Sequence, residues 1–448
     1  MKKALFLIIG LALMFVPFLA GADAAVQMLC IFVGSIWLWI TSSIELGSVA
    51  CLAALCLLPE VKPATVFSGS FGNATILFLI FSFVLTYALS ATGVLRRVAV
   101  YFIDNRFAKK STKHFIGAYF LSMLVIGSFM APTTVFILYF SIVQEIFALL
   151  GLEKGDPLAR NMMVGTGFFA SISCAMTPIA HTFPLMALGY YETATGETIS
   201  YIEYLKYGLP IGLILSAAAY LLLSGRIRGE YDFSGVRFEH TAWTKKEVFS
   251  VIVFLCVVAC WLATGVAPDA LASLNALGTA WPAMIGCIVL AAFGCLNIRE
   301  GFTKGVAWSA ILLCSATLAL GSFLTKDEYG IIPAVSDFMA PRLENFPILL
   351  LIVIFAVVMT NLISNIVTTT VSFNLFVPVL LTASLSSPVN ATIAIGICAS
   401  LAYALPSSIA HIALAGSSGW ATSRDMLRYG SVMIVVSIAV CGLIFAVL

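Results

Sequence analysis

Two of the four histidines sit in matching surroundings. The stretch "TPIAHTFPLMALG" (residues 177–189) carries His181 and "LPSSIAHIALAG" (residues 405–416) carries His411, each after Ile-Ala and inside a long apolar run. Proline and glycine nearby mark each site as a break in a helix. An ionisable ring at membrane depth is expensive, so both are candidates for a binding site. The structural alternative is a neutral imidazole that caps exposed carbonyls. The other two, His114 and His240, fall in polar segments and read as solvated.

A second set of polar residues interrupts two further apolar runs. Thr133 and Thr134 belong to "APTT" (131–134); Ser364 and Asn365 belong to "NLISN" (361–365), with Thr368 and Thr369 just beyond. A helix that stops inside a membrane leaves end groups unpaired, and its N-terminal end carries partial positive charge that can hold an oxyanion. Hydroxyls and amides add donors for an anion and oxygen ligands for a small hard cation. No Lys or Arg falls at these tips, so amides, hydroxyls and imidazole would hold the anion. For each single Thr the alternative is a bond back to its own helix or glue between helices.

Only a membrane protein could position such groups. Hydrophobic residues make up 61% of the 448, charged residues 10%, and the mean hydropathy is +1.07. No soluble core needs that proportion. Apolar runs able to cross a slab of roughly 30 Å follow one another along the chain. They predict an all-α polytopic protein with eleven spans near 4–20, 25–42, 46–59, 72–93, 161–190, 203–225, 248–267, 280–297, 306–325, 391–419 and 429–448. The interrupted runs 115–150 and 346–383 are read as re-entrant hairpins, each entering and leaving on one side. More spans follow the first apolar run at once, so it is read as a retained helix and not a signal peptide. The eleven cysteines lie in apolar stretches without C-x-x-C pairs and read as small core residues.

Charge sets the orientation. With a cytoplasmic N-terminus and non-crossing hairpins, nineteen of the 23 Lys and Arg residues fall inside, and the C-terminus falls outside. The expected location is a bacterial inner (cytoplasmic) membrane. The basic arm at residues 96–114 is read as fixing this orientation along the headgroups, in preference to a dedicated lipid site.

The chain also repeats itself. Each half runs through plain spans, a polar-tipped hairpin, a broken helix with Ile-Ala-His, and a last span opened by a basic residue and Tyr-Gly: "YLKYGLP" (204–210) in the first, "MLRYGS" (426–431) in the second. By the span count the halves start on opposite sides, which is the inverted repeat of secondary transporters with a midplane site. The expected organisation is an N-terminal helix (1–23), a first repeat (24–225), a cytoplasmic linker (226–246) and a second repeat (247–448).

These residues resemble the divalent-anion:sodium symporters, carriers of di- and tricarboxylates or sulfate within the ion-transporter superfamily. "WLWITSSIEL" (37–46) looks like that family's Trp-Leu-Thr-Glu segment, and "YLKYGLP" is similar to its Phe-Gly-Leu-Pro helix start. The resemblance implies eleven spans, two re-entrant hairpins, a homodimer held by scaffold helices, and an elevator motion of the hairpin-bearing part. It also implies that hairpin tips and broken-helix loops together contact substrate and sodium. That carries substrate contacts onto Thr133, Thr134, His181, Thr182, Ser364, Asn365, Thr368, Thr369, Ala410 and His411. Sodium ligands would be drawn from Ser128, Ala131, Ala180, Thr360, Asn365 and Ser408. The motifs are degenerate: Ala131-Pro132-Thr133 stands where the family has Ser-Asn-Thr, and Ile366 follows Ser364-Asn365 where Thr is expected. Counting back from Pro378 instead aligns Thr368-Thr369-Thr370 with that triplet, and both alignments stay open. Ala180-His181-Thr182 and the 408–411 stretch replace the family's Gly-Ser-Pro and Ala-Thr-Pro-Pro.

The expected function is secondary transport of a small anion, a di- or tricarboxylate or a sulfate-like oxyanion. The alternative is a proton-coupled carrier or anion exchanger, suggested by the missing first-tip Asn and the two histidines. A polytopic enzyme on lipid-linked substrates would show a larger extramembrane loop than 226–246 or clustered acids. Sodium is the one cofactor implied; the bilayer and a second copy are the expected partners, and nucleic acid is not.

Overall fold

The computed structural model describes residues 2–179, 181–227, 229–238, 242–267, 270–324, 326–331, 333–334, 337, 347–383 and 386–447; Ala180 and His240 lie outside them. Among the described residues helices dominate and no strand occurs. In lipid a helix satisfies its backbone within itself, one of the two ways a chain can span a membrane.

The expected spans fall on helices. Lys2–Leu19, Ala24–Thr41, Ile44–Leu55, Ala74–Thr92, Tyr201–Ser224, Lys245–Val266, Ala280–Ala292, Trp308–Leu324 and Ser423–Val447 are the unbroken ones. By length and composition seven described helices can cross a membrane, or eight if Ile298–Gly305 and Trp308–Leu324, bent by 73°, are one span. The seven include Pro132–Leu149 and Asn365–Thr382, the second arms of the two interrupted runs.

Those runs are helix pairs. Thr112–Gly127 and Pro132–Leu149 flank the first tip, with Pro132 opening the second arm. Proline is at home there because the first helical N–H has no partner to lose. Ile348–Leu362 and Asn365–Ala383 flank the second tip, which is only residues 363–364. The break at Ser364 puts Ser364-Asn365 at the tip. Thr369 and Thr370 sit a turn inside the helix and bond back to the carbonyls of Asn365 and Ile366.

Both broken helices are present, unequally broken. Pro157–Met176 gives way at 177–181 to Thr182–Thr195, whereas Pro388–Cys398 is followed by an unwound stretch, 399–409, before Ala410–Ser417. The two Ile-Ala-His repeats are therefore not in register: His181 is the N-cap of its helix, and His411 lies within the first turn of the other.

Unwound carbonyls at this depth need donors, and side chains supply them. In the first half the Thr177 hydroxyl donates to the Ser128 carbonyl, and the Tyr204 hydroxyl to that of Ala175 at 3.0 Å. In the second, Thr360 Oγ1 donates to Ala399 O at 2.6 Å, Asn361 Nδ2 to Leu401 O at 2.9 Å, and Ser171 Oγ to Ala402 O at 2.7 Å. The Tyr-Gly pairs meet the same breaks. A Cβ on Gly208 would stand 2.5 Å from the Met176 carbonyl oxygen, and one on Gly430 would stand 2.9 Å from the Tyr403 and Ala404 backbone. Each last span thus presses its backbone onto the broken helix of its own half.

Two apolar cores hold these parts. One joins the first three spans to Trp308–Leu324 through Met28, Leu38, Leu55, Ala316 and Leu320; the other runs through both hairpins and both broken helices. The described part of 226–246 is anchored and not free. Glu230 accepts from the Thr112 N–H and hydroxyl at 3.0 Å each, Tyr231 donates to Asp156, and Phe233 stacks on Phe115.

Candidate functional site

Both tips and both breaks open onto one cavity of about 490 Å³. Its wall includes Ala131, Thr133 and Thr134 from the first tip, Ser364 and Asn365 from the second, Thr182 and Phe183 from the first broken helix, and 406–410 from the second. Ile44, Phe83, Gly305, Ala307 and Ala310 also line it.

Four helices begin at this wall, at Pro132, Thr182, Asn365 and Ala410. Those starting at Pro132, Thr182 and Ala410 have no side-chain cap, as is also true of the helices starting at Pro63, Val94, Ala272, Ala280 and Ile348. Uncapped first-turn amides leave donors and partial positive charge available, roughly half a charge per helix. Asn365 adds to them: it is 1% exposed, lines the cavity, and neither its Oδ1 nor its Nδ2 has a partner. A buried amide is seldom left this way without a use. None of the described residues lining the cavity is Lys, Arg, His, Asp or Glu. The arrangement can hold an anion by dipoles alone, or an anion and a small cation together.

The structure does not bring every candidate to this wall. Thr133, Thr134, Thr182, Ser364, Asn365, Ser408, Ala131 and Ala410 line it. His181, His411, Thr368 and Thr369 are fully buried and lie outside the lining. His411 Nε2 lies 2.9 Å from Ser171 Oγ, whose proton is committed to the Ala402 carbonyl, so Nε2 donates and Nδ1 is the bare nitrogen. Nδ1 has no partner, and neither ring nitrogen of His181 has one. Ser128 and Thr360 also sit behind the wall, the first bonded to Leu124 O and the second to Ala399 O. Sequence reasoning took Asn361 only as part of the second tip; in the structure it is the amide that supports the long break. Its place beside an interrupted helix was the available signal.

Comparison with known proteins bears on this geometry. The family model described as CitMHS, citrate transporter, matches residues 36–395. An uncharacterized transporter of Haemophilus influenzae is 23% identical over 99% of this chain and 97% of its own. The sodium-dependent dicarboxylate transporter SdcS of Staphylococcus saprophyticus is 22% identical over 94% of this chain and 86% of its own. Among solved structures, the YdaH transporter of Alcanivorax borkumensis aligns with a TM-score of 0.57 at 13% identity, over 85% of this chain and 86% of that one, a likeness of fold.

Proposed function

The chain belongs to the CitMHS citrate-transporter family, and from that premise we propose that the shared cavity is the substrate site of a secondary carrier for a small carboxylate or sulfate-like oxyanion. As a member of that family it is an integral membrane transporter and not an enzyme. One observation carries the substrate reading: the buried, unpartnered Asn365 amide faces a cavity where helices start without side-chain caps. The two halves act as inverted repeats, 24–225 and 247–448, and the hairpin-bearing part moves as an elevator against the early spans and Trp308–Leu324. The N-terminus is cytoplasmic, the C-terminus is outside, and the protein works as a homodimer. Sodium is the first choice of coupling ion, since SdcS is named as sodium-dependent. Its ligands come from oxygens at the tips and breaks, Ser364, Asn365 and Ser408 among them.

A thermal-shift screen of the purified protein against citrate, succinate, malate and sulfate, with sodium or choline, tests this. A ligand that binds only the native state raises its apparent stability. The expected result is a shift with one of the carboxylates, larger in sodium. No shift with any anion, and no uptake into proteoliposomes, would overturn the reading.

A second reading, proton coupling or exchange, is favoured by His181, a fully buried imidazole at the N-cap of a broken helix. Flux in choline across roughly pH 5.5 to 8, which brackets the imidazole range, separates the two readings in the parent, His181→Gln and His411→Gln. Strict sodium dependence with no pH response in all three removes the second.

A further inference from the structure

We infer that Asn361 is a positioning residue for transport: it holds the unwound stretch 399–409 in the shape that completes the cavity, an inference that rests on the substrate site proposed above. Asn361 lies in the last turn of Ile348–Leu362, is 2% exposed and does not line the cavity. Its Nδ2 donates to Val357 O and Leu401 O, both at 2.9 Å; its Oδ1 accepts from the N–H groups of Tyr403 at 2.7 Å and Ala404 at 3.0 Å. A side-chain amide has two donor protons and two acceptor lone pairs. Asn361 uses all four and has nothing left for a ligand.

The chemistry of the contact excludes substitutes. A carboxylate at this position has no proton for the Leu401 carbonyl and would set oxygen against oxygen. An aliphatic side chain leaves three groups of the unwound backbone unpaired, where no water from the bilayer can serve them. Thr360 adds the bond to Ala399 O, so adjacent residues grip the stretch from its first residue to Ala404. The grip continues to the wall. The Ser407 hydroxyl donates to Leu362 O at 3.0 Å, and Asn365 N–H donates to Ser408 O at 3.4 Å. Ser407, Ser408, Ile409 and Ala410 line the cavity, so any shift of 401–404 reaches the substrate through them. Among the described residues the first half shows no counterpart of this clamp: the hydroxyl of Thr177 donates to Ser128 O and that of Tyr204 to Ala175 O, and no side-chain amide joins them.

The test uses the full-length protein in proteoliposomes, with citrate, succinate, malate and sulfate as probes, and compares Asn361→Asp, Thr360→Val and Thr360→Ser with the parent. The expected result is a KM for the carried anion raised about tenfold in Asn361→Asp, the change that loss of a buried hydrogen bond brings, with Vmax within about twofold of the parent. Thr360→Val moves KM the same way, and Thr360→Ser, which keeps the hydroxyl, restores it. An unchanged KM with a reduced folded yield in Asn361→Asp, or loss of the folded protein in both Asn361→Asp and Thr360→Val, would assign these residues to folding alone and overturn the inference. If the parent binds and carries none of the probes, the substrate site itself falls, and the inference with it. That outcome appears in the parent and not in the variants.

Discussion

Asn365 bears the clearest cost in the molecule. Two unpaired polar atoms in a buried amide are worth on the order of 1–3 kcal/mol each when nothing bonds them, and the fold keeps them at the cavity wall. Replacing Asn365 with Ala should therefore lower apparent affinity for the anion by roughly tenfold or more while folded yield stays level or rises. Uptake kinetics and yield are read from the same preparation; full activity would remove Asn365 from the site. Legibility differed among such residues. Thr133, Thr134, Ser364 and Asn365 stood out because they are polar residues where an apolar run is interrupted, and the structure places all four in the cavity lining. The histidines were visible for the same reason, but their depth behind the wall was not. His411 sits against Ser171, 240 positions away in the chain, and nothing local announces that contact.

At the scale of elements, hairpins and broken helices were legible because proline, glycine and polar residues punctuate runs that are otherwise apolar. The extent of each break was not. The stretch 399–409 contains Pro406, which marks a break, but the unwinding extends from Ala399 because Thr360, Asn361 and Ser171 bring donors from other helices, a condition set by packing. The repeated Tyr-Gly was legible as a pattern without a purpose; the close backbone approach of Gly208 and Gly430 to the two breaks supplies one. Adding a methyl group at either place forces backbone apart where neither side has a flexible end to yield. Gly208→Ala and Gly430→Ala should each cost about 1–3 kcal/mol, the usual penalty for overpacking. Apparent melting temperatures of the two variants beside Gly117→Ala, whose added Cβ would meet only a ring edge at 3.7 Å, give the check. Equal melting in all three would show that the approach is relaxed.

For the whole molecule, the early spans turn large apolar side chains outward, among them Leu5, Ile8, Val33 and Ile40, and these face lipid or a second copy. Pairing through them predicts twice the chain mass in nanodiscs and in mild detergent, measured by light scattering; a single-chain mass in both would refute it. The last consequence concerns electricity. The described residues that line the cavity include no ionised side chain, so if the proposed site passes from one face of the membrane to the other, the unloaded step displaces no formal charge on that lining. All the current of the cycle then belongs to the loaded half, with a sign fixed by the net valence of the anion and whatever ions accompany it. Proteoliposomes on a capacitive electrode should give no transient on a sodium jump alone if the ion binds only after the anion, and a transient of one sign when the anion is added. A transient of equal size without anion would mean that charge enters the site by itself.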